Sequence, residues 1–376
     1  MKTLLPFLIF TAALLLYSCN QERTAQKPRP VKKALNKIKP PPPPVKTIDT
    51  LTIAAVGDIM LGTSYPDARA LPPDSGKNSF KGALDELRNA DVTFGNLEGT
   101  IADTGKPASY KMKLKSKAYL FRMPVYFAGV LKDAGFKIMS LANNHIGDFG
   151  DYGRKSTIRI LDSVGINFGG QLDRPSSIFT VNGVTFGFCA FAPNSNTLSL
   201  LDLKKAEEII RALKGQCQIL IVSFHGGAEG APFEHVPFKM ESYLNEKRGD
   251  VHAFAHNAID AGADLVFGNG PHVCRAMELY NNRLIAYSLG NFCTYRCVSV
   301  AGVCGYAPLV KIKVNKKGEF LEGQIKSYRQ THLSGLIPDS LNLVAKRIKI
   351  LSETDFPESA INISQAGSIT KINLNQ

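Results

Sequence analysis

Ser140-Leu141-Ala142-Asn143-Asn144-His145-Ile146-Gly147-Asp148-Phe149-Gly150 is the stretch on which the reading of this chain turns. An apolar run, 136–141, breaks off into two amides, an imidazole and a carboxylate. Gly147, Gly150 and Gly153 let the backbone turn tightly around those polar groups. A strand that delivers Asn and His at its carboxyl end, followed by a turn and a helix, is how open α/β sheets present their chemistry. Taken alone, the segment reads equally well as an Asn-rich cap on a helix beginning near Arg154.

The same pattern recurs along the chain. Short apolar strands are expected over 52–56, 92–94, 184–191, 219–224, 263–267 and 284–289. Helices are expected over 80–90, 123–134, 154–164, 203–213 and 251–261. On the last of these Val251, Phe254, Ala255, Ala258 and Ile259 share a face. Such alternation predicts an α/β layered domain over 51–335. Beyond it, 336–376 offers only an amphipathic helix over 341–351 and a polar end.

The ends of these strands carry the chemistry. They read Gly57-Asp58, Gly95-Asn96-Leu97-Glu98-Gly99, Asn143-Asn144-His145, His225-Gly226-Gly227-Ala228-Glu229 and Gly268-Asn269-Gly270-Pro271-His272. One such ending can be a turn; five at the same end of strands imply convergence in space. Carboxylate, amide oxygen and imidazole suit Mn, Fe, Zn or similar divalent ions, one or two of them. A pair of ions about 3.5–4 Å apart activates water and clamps a phosphoryl oxygen. His252 and His256, on the amphipathic helix, read as structural or solvated, and His235 as a lesser candidate for the cleft.

The amino terminus reads differently. Lys2, an apolar run over 4–16 and Tyr17-Ser18-Cys19 have the layout of a secretory signal. The run is short for a membrane span, and Cys19 after Ser18, with Leu16 before it, resembles a bacterial lipobox. Residues 1–19 are therefore expected to be a lipoprotein signal, with Cys19 acylated and the protein exported and anchored to the cell-envelope membrane. Residues 20–50 form a tether with eight basic and two acidic residues, net +6 of the chain's +13, and five prolines at 40–44. That basicity suits anionic headgroups or a polyanion. With no Trp and no basic-aromatic interleaving, nucleic acid is not an expected partner. Six further cysteines stand at 189, 217, 274, 293, 297 and 304; export permits disulfides, but no CxxC pair marks a structural zinc site.

Gly57-Asp58-Ile59-Met60-Leu61-Gly62, Asn96-Leu97-Glu98, Leu141-Ala142-Asn143-Asn144-His145, Gly268-Asn269-Gly270-Pro271-His272 and Tyr287-Ser288-Leu289-Gly290-Asn291-Phe292 together resemble the CapA family. These are poly-gamma-glutamate capsule biosynthesis proteins with a calcineurin-like metallophosphatase fold. The resemblance implies a four-layer αββα sandwich. It implies Asp58, Glu98, Asn144, His225 and His272 as metal ligands, His145 as the proton donor to the leaving group, and Asp148 as its orienter. Asn96, Asn143, Asn269 and Glu229 are further candidates. Met60 stands where phosphatases have a His ligand, and Asn269 where the family has His.

The function so implied is synthesis or export of an anionic capsule polymer around a phosphoesterase-like site, in the company of capsule-export machinery. Two other readings stay open: a phosphoesterase of another envelope substrate, and a non-catalytic polymer-binding assembly factor. The fold does not choose among them.

Overall fold

Leu51, Ile53 and Ala55 turn to one face of the first strand, Thr50–Met60, while Ala54 and Val56 turn to the other. Both faces are covered, which is why the strand reads as one apolar run rather than an alternation. The computed structural model describes residues 50–113, 119–332 and 335–372. The chain divides into Met1–Lys46 and Thr47–Gln376; the signal, Cys19 and nearly all of the tether lie outside the described residues.

Two mixed sheets form the centre. In the first, Thr50–Met60, Val92–Leu97, Ile138–Ser140 and Asn167–Gly169 run parallel in that order. In the second, Val184–Ala192, Ile219–His225, Leu265–Asn269 and Arg283–Ala286 do the same. Their inner faces meet through Phe94, whose ring centroid lies 5.0 Å from Phe267 and 5.8 Å from Phe188. Outside the first sheet pack Leu87, Phe127, Leu131 and Leu161 from its helices. Outside the second pack Ile210 and Leu213 of Leu203–Lys214 and Phe254 and Ala258 of Val251–Asp260. The result is the four-layer αββα sandwich.

Several elements differ from expectation in extent. The helix expected over 80–90 is a 3-10 turn, Lys81–Ala83, followed by the short helix Leu84–Arg88. That expected over 123–134 begins only at Phe127 and ends at Asp133. Met123 precedes Pro124, a position that disfavours the helical region, and it ends the strand Arg122–Met123. The strand expected over 284–289 stops at Ala286. The chain then crosses to the first sheet, where Asn291–Thr294 pairs in parallel with Thr50–Met60.

That crossing is a close approach. Asp58 N donates to Gly290 O at 2.9 Å, and a Cβ on Gly57 would stand 1.9 Å from the same oxygen. Only glycine fits at 57.

The sheet beyond residue 305 is not legible in the sequence. Tyr306–Asn315 and Phe320–Thr331 form a long antiparallel pair beside Thr50–Met60. The helix expected over 341–351 spans Leu343–Asp355 and sends Val344, Ala345 and Ile348 into the inter-sheet core. Ile361–Ile363 and Ser368–Lys371 then extend the first sheet. The six described cysteines are all free. Among the described residues no helix is long and apolar enough to cross a membrane.

Candidate metal centre

Asp58 lies near the end of its strand, fully buried, in register with Asn96 on one side and Asn291 on the other. Asn96 Nδ2 donates to Asp58 Oδ1 at 2.7 Å. The other carboxylate oxygen, Oδ2, lies 3.0 Å from His272 Nδ1. Nδ1 also stands 3.0 Å from Asn291 Oδ1, and Asp58 Oδ2 has no hydrogen-bond partner. His272 Nε2 is 3.6 Å from Glu98 Oε1. Asp58, Glu98 and His272 thus form one cluster of donor atoms within 4.8 Å of one another.

The second sheet brings His225 and Asn269, which are register partners on adjacent parallel strands. His225 Nδ1 lies 3.4 Å from Asn96 Nδ2, a contact between the two sheets at this end. Asn269 Nδ2 is tied to Ser223 Oγ at 3.2 Å, leaving its Oδ1 without a donor. The same is true of Asp58 Oδ2, both oxygens of Glu98, Asn144 Oδ1 and His225 Nε2, all buried. Buried polar atoms are ordinarily hydrogen-bonded. A set of carboxylate, amide and imidazole atoms without donors is the donor set of a divalent cation.

Electrostatics fit that reading. Burial raises the Glu98 pKa to about 8, with His272 opposing and Asp58 and Glu229 adding to the rise. Burial works against the charged form of His272, but Glu98 and Asp58 outweigh it and raise its pKa to about 10. His225 is held well below the usual imidazole range by burial, then by Arg248, His272 and His145.

The opening stretch supplies a second device. Asn143 Oδ1 accepts from the backbone N–H groups of His145 and Ile146 at 3.1 and 2.9 Å. Its Nδ2 donates to Leu97 O at 2.9 Å and Asn96 Oδ1 at 3.3 Å. Asn143 therefore shapes the turn, while Asn144 presents a free oxygen. His145 Nδ1 lies 2.8 Å from Asp148 Oδ2, and the Phe121 ring stacks on the imidazole at 4.1 Å. Burial lowers the His145 pKa and Asp148 pushes it back up.

Three participants were not singled out from the sequence. Lys111 Nζ lies 2.8 Å from Asp148 Oδ1 and donates to Asn144 O at 2.9 Å; nothing in its local sequence marks it. Asn291 holds His272 and donates to His272 O, Ser299 O and Cys304 O; its motif was visible, its task was not. Buried Arg248 pairs with Glu229 at 3.0 Å, so Glu229 meets a cation of the chain itself. His235 is exposed and hydrogen-bonded to Asp355 at 2.7 Å.

Comparison with solved structures gives low overall similarity. The 5'-nucleotidase precursor from Thermus thermophilus has a TM-score of 0.40 at 13% identity, covering 74% of this chain and 54% of that one. A purple acid phosphatase from yellow lupin seeds has a TM-score of 0.36 at 10% identity, covering 74% and 51%. Among curated sequences, "PGA biosynthesis protein CapA" of Bacillus subtilis is 31% identical over 271 residues, 66% of this chain and 65% of the relative. "Capsule biosynthesis protein CapA" of Bacillus anthracis is 28% identical over 267 residues, 65% and 60%. The chain thus spans less than two thirds of the length of either relative. Residues 52–296 match the family model described as bacterial capsule synthesis protein PGA_cap. That stretch encloses every residue of the candidate metal centre and of the His145–Asp148 pair, and by it the chain belongs to the PGA_cap family.

Proposed function

We propose that this protein serves the synthesis or export of an anionic capsule polymer such as poly-gamma-glutamate, through a divalent-metal, phosphoesterase-like site. The observation that carries this reading is the set of donor-less buried atoms on Asp58, Glu98, Asn144, His225 and Asn269. A buried carboxylate without hydrogen bonds costs roughly several kcal/mol, and a cation relieves it. Asp58, Glu98 and His272 would hold one ion; His225, Asn144 and Asn269 would complete that site or a second one. When bound, such ions activate water and stabilise charge on a phosphoryl oxygen.

The chain's own residues do the rest. Asp148 fixes the His145 ring through Nδ1, which leaves Nε2 for proton donation to a leaving group. Lys111 holds Asp148 in place, and Phe121 covers the imidazole from solvent. In this reading an acylated Cys19 anchors the protein to the envelope membrane, and the basic tether 20–50 lets the domain meet an anionic polymer and the export machinery.

One observation favours a non-catalytic polymer-binding role instead. Met60 is fully buried and packs with Phe121 and Val298, so it offers no ligand where phosphatases have one. Turnover of aryl phosphate esters with added Mn, beside chain-length analysis of poly-gamma-glutamate, separates the readings. Metal-dependent turnover of either substrate supports the enzyme. Tight polymer binding without turnover of either supports the assembly factor.

A further inference from the structure

Outside the site described above, His252, His256 and Glu278 bring one donor atom each within 4.8 Å of one another. The histidines stand four residues apart on the helix Val251–Asp260, a spacing that puts both rings on one face. Their ring centroids are 4.1 Å apart. Glu278 comes from the edge strand Met277–Tyr280 of the second sheet. His256 Nε2 lies 2.9 and 3.1 Å from the two Glu278 oxygens.

The surroundings fix these groups. Tyr287 OH donates to Glu278 Oε2 at 2.7 Å, and the carboxylate is 8% exposed as a residue. Tyr280 stacks on His256 at 3.8 Å; Phe238 and Phe356 flank His252 at 4.3 and 5.9 Å. The helix start is capped by Asp250 accepting from Ala253 N at 2.9 Å. The edge strand is tied down by Met277 N donating to Ser352 Oγ and Leu279 N to Ser359 Oγ. A polar triad walled by aromatic rings is more than a helix needs in order to pack on a sheet.

We propose that His252, His256 and Glu278 form a second metal site that takes a zinc-class divalent ion and staples the helix Val251–Asp260 to the edge strand Met277–Tyr280. Two imidazoles and a carboxylate are a zinc donor set, with a fourth position left for water. Bonds of about 2.0–2.1 Å in tetrahedral geometry set neighbouring donors roughly 3.4 Å apart. The His256–Glu278 pair already stands near that spacing, and the His252 donor lies within 4.8 Å of both. Tyr287 is the outer hydrogen-bond partner that orients a ligating carboxylate.

The test is zinc binding by the full chain and by the double variant His252→Gln/His256→Gln, after EDTA treatment and dialysis against zinc. Elemental analysis is expected to find one equivalent more in the wild-type chain. The zinc-dependent rise in Tm, several degrees in the wild type, is expected to shrink in the variant. Equal zinc content together with equal zinc-dependent Tm shifts overturns the proposal. Far-UV circular dichroism checks that the variant folds. Footprinting of the wild-type chain with diethylpyrocarbonate needs no variant. Micromolar zinc is expected to protect His252 and His256 tenfold or more from modification, and unchanged modification of both overturns the proposal.

Discussion

The imidazole Nδ1 of His145 stands 2.8 Å from Asp148 Oδ2, while the other oxygen of that carboxylate stands 2.8 Å from Lys111 Nζ. Asp148 thus both fixes the His145 ring and is the counter-charge of a lysine whose side chain is 11% exposed.

The two halves of that role separate by mutation. A general acid contributes about 10²–10⁴-fold, so His145→Ala is expected to lose that much phosphoesterase turnover with metal content unchanged. Asp148→Asn is expected to lose less turnover but more stability, about 3–5 kcal/mol, because it strips Lys111 of its counter-charge and leaves it only the Asn144 carbonyl. Kinetics, elemental analysis and urea unfolding check the pair. Full activity in His145→Ala would remove the histidine from the chemistry, and lost metal would make it a ligand.

Glu98→Gln is expected to weaken metal binding by more than about 100-fold, since even outer partners of a metal contribute 10–100-fold. The metal-free protein is expected to keep its Tm or gain a little. The replaced carboxylate is fully buried with no donor to either oxygen, an arrangement that costs free energy unless a cation is present. A large fall in Tm of the metal-free variant would mean that Glu98 is structural.

Metal affinity is expected to rise with pH across the range of roughly 6 to 8.5. In the metal-free chain the His272 pKa is raised to about 10 and that of Glu98 to about 8. An incoming ion needs the neutral imidazole and the carboxylate, so it displaces protons held below those values, and acid opposes binding. Calorimetry in buffers of different ionisation enthalpy counts the released protons. An affinity flat across that range, with none released, would take both residues out of the ligand set.

Asn269→His tests the departure from the family pattern. An amide oxygen is a neutral and weaker donor than imidazole for a borderline ion, so one ion is expected to be held tightly and a second loosely. The substitution is expected to raise stoichiometry towards two at limiting metal, provided that the buried pocket beside Ser223 admits the ring. Titration of Mn into both proteins decides. Two equally tight ions in the wild type would refute the weak second site.

Cys19→Ser is expected to move the protein from the membrane to the soluble fraction. An acylated Cys19 together with the basic tether would satisfy the two-signal requirement for stable attachment. Undiminished membrane association of the variant at high salt would sink the anchor.

What the sequence determined by itself was the alternation of strand and helix and the residues at the strand ends. Both depend on short-range rules: apolar runs that must be covered on two faces, and Gly, Asn, Asp and His where those runs stop. The Asn143–Asp148 turn was legible for the same reason, since its hydrogen bonds close within a few residues. Tertiary structure decided what long-range contact decides. Lys111 reaches Asp148 across 37 positions, and no local pattern announces such a pairing. Residues 361–371 read as a polar end because Ile361, Ile363 and Ile369 stand scattered among polar residues, and only pairing with Phe320–Thr331 makes them sheet. His252 and His256 read as structural or solvated until the fold set Glu278 beside them. Asn143 and Asn144 are chemically identical neighbours. The amide of one closes the turn and the oxygen of the other is left buried without a partner, a difference that exists only once the strands are packed.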